Sequence, residues 1–227
     1  MRYSYSTTTV PSQSANVGVI FNTASTAYVI DIADCQLEKS ASATTYAPNP
    51  WLPFAQAAIT AIRVVDASTP IYINGFNNGT AYMWPWENWD LASLTGSNLV
   101  FEAHQYFDGS VSQGGGGGPY SGTYSSYSIT SSAGVQEVTP FESFLGSTTA
   151  SGYIGEYAIP DNSKGDQSSW LPVMTNFLQS LVTNNIPASM WVYVSGTQLS
   201  NNLNIATSTA ANAGSDDVRL IQMLQQF

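Results

Sequence analysis

The sequence predicts an α/β fold built around a parallel sheet, and three observations lead to that prediction. First, apolar runs of strand length alternate with segments whose apolar residues recur at helical spacing. Second, strands that alternate with helices form βαβ units, which build parallel sheets. Third, four such strands follow residue 50, half the number in a (β/α)8 TIM barrel. We therefore predict a partial barrel of the TIM type, preceded by a short N-terminal β-rich segment.

Residues 1–47 form the predicted β-rich segment, and residues 48–227 form the predicted second domain. Residues 17–21 and 27–32 are apolar runs of strand length separated by a turn-like stretch, which favours a β-hairpin. Residues 40–50 (SASATTYAPNP) are predicted to be a linker, because their two prolines oppose a helix.

The alternating pattern begins after this linker. The predicted strands cover residues 71–73, 99–106, 152–156 and 188–194. The predicted helices cover residues 54–65, 141–145, 170–183 and 216–226. A glycine-rich stretch, residues 113–119, follows the second strand, at the end of a barrel where substrates bind.

The composition excludes several classes of partner. The chain has 5 Lys and Arg against 15 Asp and Glu, for a net charge of −10. Nucleic acids and anionic membrane surfaces are bound by clustered Lys and Arg, so neither is an expected partner. With a single cysteine and a single histidine, a zinc site of the Cys/His type is excluded, and we expect no cofactor.

The remaining polarity comes from uncharged side chains, chiefly those of Ser, Thr, Asn, Gln and Tyr. Such a surface suits neutral polyhydroxylated ligands, and it predicts an extracellular protein. The first residues are not followed by the apolar stretch of a signal peptide.

Glu156 is the strongest candidate for chemistry. It ends the apolar strand in the segment GYIGEY, and catalytic residues of barrels lie at the carboxyl ends of strands. The preceding glycine would allow close approach of backbone or ligand. The alternative to a catalytic role, with equal weight, is a glutamate at the end of a strand that only faces water.

His104, the single histidine, lies in the segment FEAHQYFD. Alternation along a strand places Glu102, His104 and Tyr106 on one face. His104 and Tyr106 could therefore both reach one carboxylate and hydrogen-bond to it. The alternative is a core histidine bonded to the backbone.

Tryptophans give the third signal. Trp84, Trp86 and Trp89 follow the first strand of the alternating region within a single predicted loop, and Trp191 lies in its last strand. Exposed indole rings stack on the apolar faces of sugars, whereas buried ones contribute to the core. We predict substrate contacts for Trp84, Trp86 and Trp191, and for Asn77, whose amide could bond sugar hydroxyls or alternatively form a turn.

Taken in order, these segments resemble glycoside hydrolase family 5, over residues 51–227. The segment HQYFD is similar to the family's His-x-Tyr segment after strand six, and GEY is similar to the segment that carries its nucleophile on strand seven. Trp191 is similar to the tryptophan of strand eight, and the helix around AQAAITAIR resembles the one after strand four.

The resemblance implies a cellulase-type endo-β-1,4-glucanase that acts with retention, with the chain supplying strands five to eight. It implies that Glu156 is the nucleophile, that His104 and Tyr106 orient it, and that the partner is a β-glucan polysaccharide or oligosaccharide. Mannan and xylan are alternative substrates, because loops rather than these motifs decide the substrate. Retention requires a second carboxyl about 5–5.5 Å away that acts as acid and then base.

The sequence departs from the family at that second carboxyl. The family's acid/base lies in an Asn-Glu-Pro segment at the end of strand four, and this sequence contains no such segment. The strand-like run before Cys35 could be a degenerate strand four, which would bring Asp34 or Glu38 near the expected place. Glu102 and a partner chain are the other possible sources of the second carboxyl. It also resembles the closing strand of a carbohydrate-binding jelly roll, and a rearranged gene is a third explanation.

Two consequences follow for the assembly and the function. Half a barrel exposes sheet edges, so either a second copy of the chain closes it as a homodimer or residues 1–47 cover part of the edge. A catalytically impaired glycan-binding fragment is the alternative to an active hydrolase.

Overall fold

The computed structural model describes residues 51–76, 79–109, 118, 120–160 and 165–191, together with residues 203, 224 and 227. The chain divides into two compact units, Met1–Pro50 and Trp51–Phe227. The predicted hairpin and linker lie outside the described residues, as does the predicted helix at 216–226 except for Leu224. The domain boundary after residue 47 stays a prediction.

A single parallel sheet organises the described part of the chain, as predicted. Its four strands lie side by side in sequence order. They are β1 (Ile71–Asn74), β2 (Leu99–Tyr106), β3 (Ser151–Ala158) and β4 (Ala188–Met190). The last predicted strand continues to residue 194, but its residues 192–194 lie outside the described part. Because all pairs are parallel, the carboxyl ends of the strands meet at one edge of the sheet.

Five helices accompany these strands in the described residues. They are α1 (Trp51–Val65), α2 (Trp84–Glu87), α3 (Ala133–Gln136), α4 (Thr139–Leu145) and α5 (Gln167–Thr183). Short 3-10 helices occur at Trp89–Ser93 and Tyr124–Tyr127. The predicted ends of α1, α4 and α5 lie within three residues of the observed ends. The sequence prediction missed α2 and α3, since four residues are too few to show a helical period.

The core lies between the sheet and the helices. α5 buries seven residues at helical spacing, among them Trp170 and Phe177, which explains its stability despite a proline inside the helix. α1 buries Ala55 and Ile59, four positions apart on one face. At the end of α1, the Arg63 guanidinium donates to the carbonyl oxygens of Asp66, Thr69 and Ser97, at 3.0, 2.9 and 2.6 Å. These bonds tie α1 to the ends of the loops that flank β1.

Among the described helices, none combines the length and the apolar character needed to cross a membrane.

Candidate active site

Polar side chains of β1, β2 and β3 gather near the carboxyl ends of these strands. The parallel register pairs His104 of β2 with Glu156 of β3. The chain after β1 returns to the same place, because the Ala81 N–H donates to the His104 carbonyl oxygen at 2.8 Å. Residues from three successive βα units therefore border one site.

Alternation along β2 divides its side chains between two environments. Phe101, Ala103 and Gln105 are buried on the face that the helices cover, whereas Glu102 and His104 are half-buried on the opposite face. This burial pattern agrees with the alternation expected of a strand. In a closed barrel that opposite face would line the interior.

Tyr106 and His104 both approach the carboxylate of Glu156. The Tyr106 hydroxyl donates to Glu156 Oε2 at 2.7 Å. His104 Nδ1 lies 3.8 Å from the same oxygen, which is too long for a hydrogen bond but close enough for a favourable charge interaction. The structure thus brings together the three residues that the sequence assigned to catalysis.

A second carboxylate, Glu102, lies on the other side of the His104 ring. Its Oε1 is 2.9 Å from His104 Nε2, and its Oε2 accepts a 2.5 Å hydrogen bond from Asn74 Nδ2. Sequence reasoning placed Glu102 on this face and counted it among the possible sources of the second carboxyl, but it did not foresee the contacts of Glu102 with Asn74 and His104. The contact with Asn74 depends on the register between β1 and β2, which pairs Asn74 with Glu102.

These contacts affect the ionisation of Tyr106 and His104. Burial, together with the adjacent Glu156 carboxylate, raises the pKa of the Tyr106 hydroxyl well above its usual value, so this group remains a proton donor at neutral pH. The hydrogen bond to Glu102 raises the pKa of His104, partial burial opposes this effect, and the charges of Glu102 and Glu156 add to it. The imidazole is therefore held in a setting that favours its cationic form.

The predicted sugar-stacking role of Trp84 needs correction. Its side chain is completely buried, with ring centroids 4.9 Å from Phe141, 5.9 Å from Phe144 and 6.0 Å from Phe101. A Cβ on Gly75 would come within 2.5 Å of the Trp84 ring, so this glycine makes room for it. Trp84 belongs to the core between the sheet and α4, where no sugar can reach its face.

Two other predicted tryptophans are accessible. Trp86 is 60% exposed and lies beside Tyr82, with ring centroids 5.6 Å apart. Trp191, 43% exposed, follows β4, and its backbone N–H donates to the carbonyl oxygen of Tyr157, the neighbour of Glu156, at 2.9 Å. Trp191 therefore lies at the same edge of the sheet as the carboxylate. Asn77, the remaining predicted contact, is outside the described residues.

Within the part of the chain that the structure describes, no group of three or more His, Cys, Asp or Glu side chains could hold a metal ion. The clustered polar groups of β1, β2 and β3 instead pair with one another. The group that this arrangement positions for chemistry is the carboxylate of Glu156, which lies beside Tyr106 and His104.

The fold and the site place the chain in the class of (β/α)8 barrel proteins with a carboxylate at the carboxyl end of a barrel strand. Comparison with protein families gives the family. The model for cellulase (glycosyl hydrolase family 5) matches residues 36–196, more than half of the chain, and the chain belongs to this family. The match begins within the segment that the sequence assigned to a separate N-terminal region.

Individual relatives agree with the family. Endo-beta-1,4-glucanase B of Aspergillus niger is 33% identical over 125 residues, which are 53% of this chain and 35% of that protein. The crystal structure of Pseudomonas stutzeri endoglucanase Cel5A is 31% identical, with a TM-score of 0.57 over 77% of this chain and 50% of that one. An endo-beta-1,4-glucanase of Xanthomonas axonopodis pv. citri, 20% identical with a TM-score of 0.59 over 79% of this chain and 55% of that one, shares the fold. The chain thus spans about half the length of these solved structures and about a third of the Aspergillus protein.

Proposed function

We propose that this chain is the nucleophile-bearing part of a retaining endo-β-1,4-glucanase that cleaves cellulose-like polysaccharides. The observation that carries the proposal is the contact of Tyr106 and His104 with the Glu156 carboxylate at the carboxyl ends of neighbouring strands. In a barrel of this family, that edge is where substrates bind.

Glu156 has the geometry of an oriented nucleophile. One of its oxygens, Oε2, is held by the Tyr106 hydroxyl and faces His104, which leaves Oε1 to attack. In the first step that oxygen would bond to the anomeric carbon of a bound glucosyl unit while the bond to the leaving sugar breaks. The resulting glycosyl-enzyme would then be released by water, with net retention at the anomeric carbon.

The proton for the leaving sugar must come from a second carboxylic acid. Glu102 does not suit this role, since both its oxygens are already engaged by Asn74 and His104. Asp34 and Glu38, the other two candidates from the sequence, lie outside the described residues. We propose that the acid comes from these residues, from another part of the full protein, or from a second copy that closes the barrel.

Trp86 and Trp191 are the proposed sugar-stacking residues, because both are exposed. Trp191 lies at this edge, and Trp86 lies beside Tyr82, whose backbone N–H donates to Gln105 Oε1 at 3.3 Å. A β-glucan as the substrate class is supported by the Pseudomonas stutzeri enzyme, whose structure was also determined in complex with cellobiose. The scarcity of basic residues supports a neutral polysaccharide over a nucleic acid or an anionic membrane. We further propose that the protein acts outside the cell, where such polysaccharides occur.

Hydrolysis of carboxymethylcellulose by the purified chain tests the proposal, with Glu156→Gln as the variant. We expect new reducing ends with the wild-type chain and none with Glu156→Gln. Equal activity in both proteins would contradict the assignment of the nucleophile. Since we assign the acid to no described residue, the assay is paired with a second substrate. This is a cellobioside with a dinitrophenyl leaving group, which departs without protonation.

The second candidate function is glycan binding without turnover, and the missing Asn-Glu-Pro segment favours it. It predicts that cello-oligosaccharides bind to the folded chain while neither substrate is hydrolysed.

The oligomeric state is measured by light scattering in the same experiments. It matters because β1 and β4 are the outer strands of the described sheet, and a closed barrel would require their edges to be covered.

A further inference from the structure

Glu102 is surrounded by groups that fix both of its oxygens. Asn74 Nδ2 donates to Oε2 at 2.5 Å, and Oε1 lies 2.9 Å from His104 Nε2. The carboxylate is half-buried on the inner face of β2. A half-buried charge is costly unless it is paired and hydrogen-bonded, so an acidic residue at this position requires an explanation beyond local packing.

The backbone of β3 leaves space for this carboxylate. A Cβ on Gly155 would lie 1.7 Å from Glu102 Oε1 and 2.7 Å from its Cδ. Any larger residue before Glu156 would therefore displace Glu102 from His104. The glycine of the GEY segment thus serves an interaction of the neighbouring strand.

We propose that Glu102 is a positioning residue that fixes the orientation and the charge of His104 beside Glu156. The proposal deepens the proposed function and rests on it, since it assumes that Glu156 is the nucleophile. Glu102 would not touch the substrate. It would act through the imidazole ring, which lies between the two carboxylates.

Hydrogen-bond chemistry determines how the ring is held. A carboxylate accepts hydrogen bonds, so the contact at Nε2 requires a proton on that nitrogen. Nδ1 is then the nitrogen that faces Glu156, and in the cationic ring it carries the second proton toward Oε2. An imidazolium between two carboxylates places a positive charge next to the proposed nucleophile without forming a direct hydrogen bond to its attacking oxygen.

The neighbours of His104 are consistent with this arrangement. Among the described residues, the titratable groups that act on the ring are Glu102 of β2 and Glu156 of β3. Tyr106 of β2 bonds to Glu156, and the neutral Asn74 of β1 bonds to Glu102. The hydrogen bond to Glu102 is the largest influence that raises the pKa of His104, ahead of the charge of Glu156. Glu102 is thus expected to control the charge of His104 more strongly than Glu156 does.

The single histidine of the chain makes the test direct. NMR titration of the imidazole in the full 227-residue chain reports His104 alone and needs no activity. We expect the pKa of His104 to fall by about one unit or more in Glu102→Gln, and to fall less in Glu156→Gln. Glu142→Gln is the matched control, because Glu142 bonds Ser180 on α5 and its loss should leave the titration unchanged.

Gly155→Ala provides an independent variant in which Glu102 keeps its charge but must move away from His104. It should reproduce the fall seen in Glu102→Gln, provided that circular dichroism shows a folded chain. An unchanged titration in folded Glu102→Gln would overturn the proposal, and so would a larger fall in Glu156→Gln than in Glu102→Gln.

The titration also separates this inference from the proposed function. If Glu156-dependent hydrolysis is found but the titration is unchanged in Glu102→Gln, the role of Glu102 fails while the hydrolase stands. If the titration shifts as expected but Glu156 never becomes glycosylated, the proposed function fails while the control of His104 by Glu102 stands.

Discussion

The Tyr106 hydroxyl donates a 2.7 Å hydrogen bond to Glu156 Oε2 across the β2–β3 pair. The two residues are 50 positions apart in sequence, and the parallel register brings them together near the carboxyl ends of their strands. The bond holds one oxygen of the carboxylate, and no residue in the described part of the chain hydrogen-bonds to the other. A barrel strand of this kind can therefore present a carboxylate in a single defined orientation.

Replacing Tyr106 with phenylalanine should slow the glycosylation of Glu156. The ring still fills its buried position, but the carboxylate loses the bond that orients it, and misplacement of a reacting group costs about ten- to a hundredfold in rate. Release of dinitrophenolate from an activated cellobioside measures this step. Tyr127→Phe is the control, since that hydroxyl accepts the Gly122 N–H and does not bond to Glu156, so its loss should not change the rate.

Trp84 and Trp86, two positions apart, should differ sharply when each is replaced with alanine. Trp84 is completely buried among phenylalanines, so Trp84→Ala should cost about 3–5 kcal/mol of the free energy of unfolding. Trp86 is mostly exposed, so Trp86→Ala should change it by no more than about 0.5 kcal/mol. Urea denaturation measures both, and equal losses would contradict the assignment of Trp84 to the core.

Trp191→Ala should weaken the binding of cello-oligosaccharides while leaving stability nearly unchanged, because the indole is exposed beside the carboxylate edge. We expect a loss of about tenfold or more, equivalent to about 1.4 kcal/mol. Isothermal titration with cellotetraose, carried out in the Glu156→Gln background to prevent turnover, measures the affinity. Trp89→Ala, which removes another exposed indole with no predicted substrate contact, should bind as the parent does.

Glu137 should make the stability of the protein depend on pH. Burial, together with the charge of Asp108, raises the pKa of this carboxyl to about 8, while in the unfolded chain it is near its ordinary 4.5. The folded state thus retains a proton that the unfolded state releases. The stability that the protonated Glu137 contributes to the folded state is fully present below pH ~4.5 and is lost as the pH rises through about 8.

Glu137→Gln should remove that dependence. Its amide can still accept the bond that Gln105 Nε2 donates to Glu137 at 2.6 Å, but it carries no charge at any pH. The variant should match the wild type near pH ~4 and exceed it in free energy of unfolding by on the order of a few kcal/mol near pH ~8. Parallel pH profiles in the two proteins would contradict the burial of an ionisable carboxyl here.

The features that could be predicted from the sequence are local ones. The period of β2 placed Glu102 and His104 on one face, because alternation depends only on neighbouring residues. The length and spacing of α1 and α5 were readable for the same reason. The partial barrel followed from the alternation of these elements.

The features that escaped prediction depend on contacts between distant segments. The burial of Trp84 requires Phe141 and Phe144 from α4 and the small Gly75, and a pattern within its own segment could not reveal it. The bond between Asn74 and Glu102 requires the register of β1 on β2. Neither the spacing nor the composition of the chain contains that register.

The most direct test of the central claim is to trap the glycosyl-enzyme and locate it. A cellobioside with a dinitrophenyl leaving group and fluorine at C2 needs no acid for the first step, and the fluorine slows release of the covalent intermediate. We predict that mass spectrometry of the treated chain shows one added fluorocellobiosyl group, on the peptide that contains Glu156, and that Glu156→Gln stays unlabelled. Labelling of another carboxylate, or no labelling of a folded chain that binds cellobiose, would contradict the account.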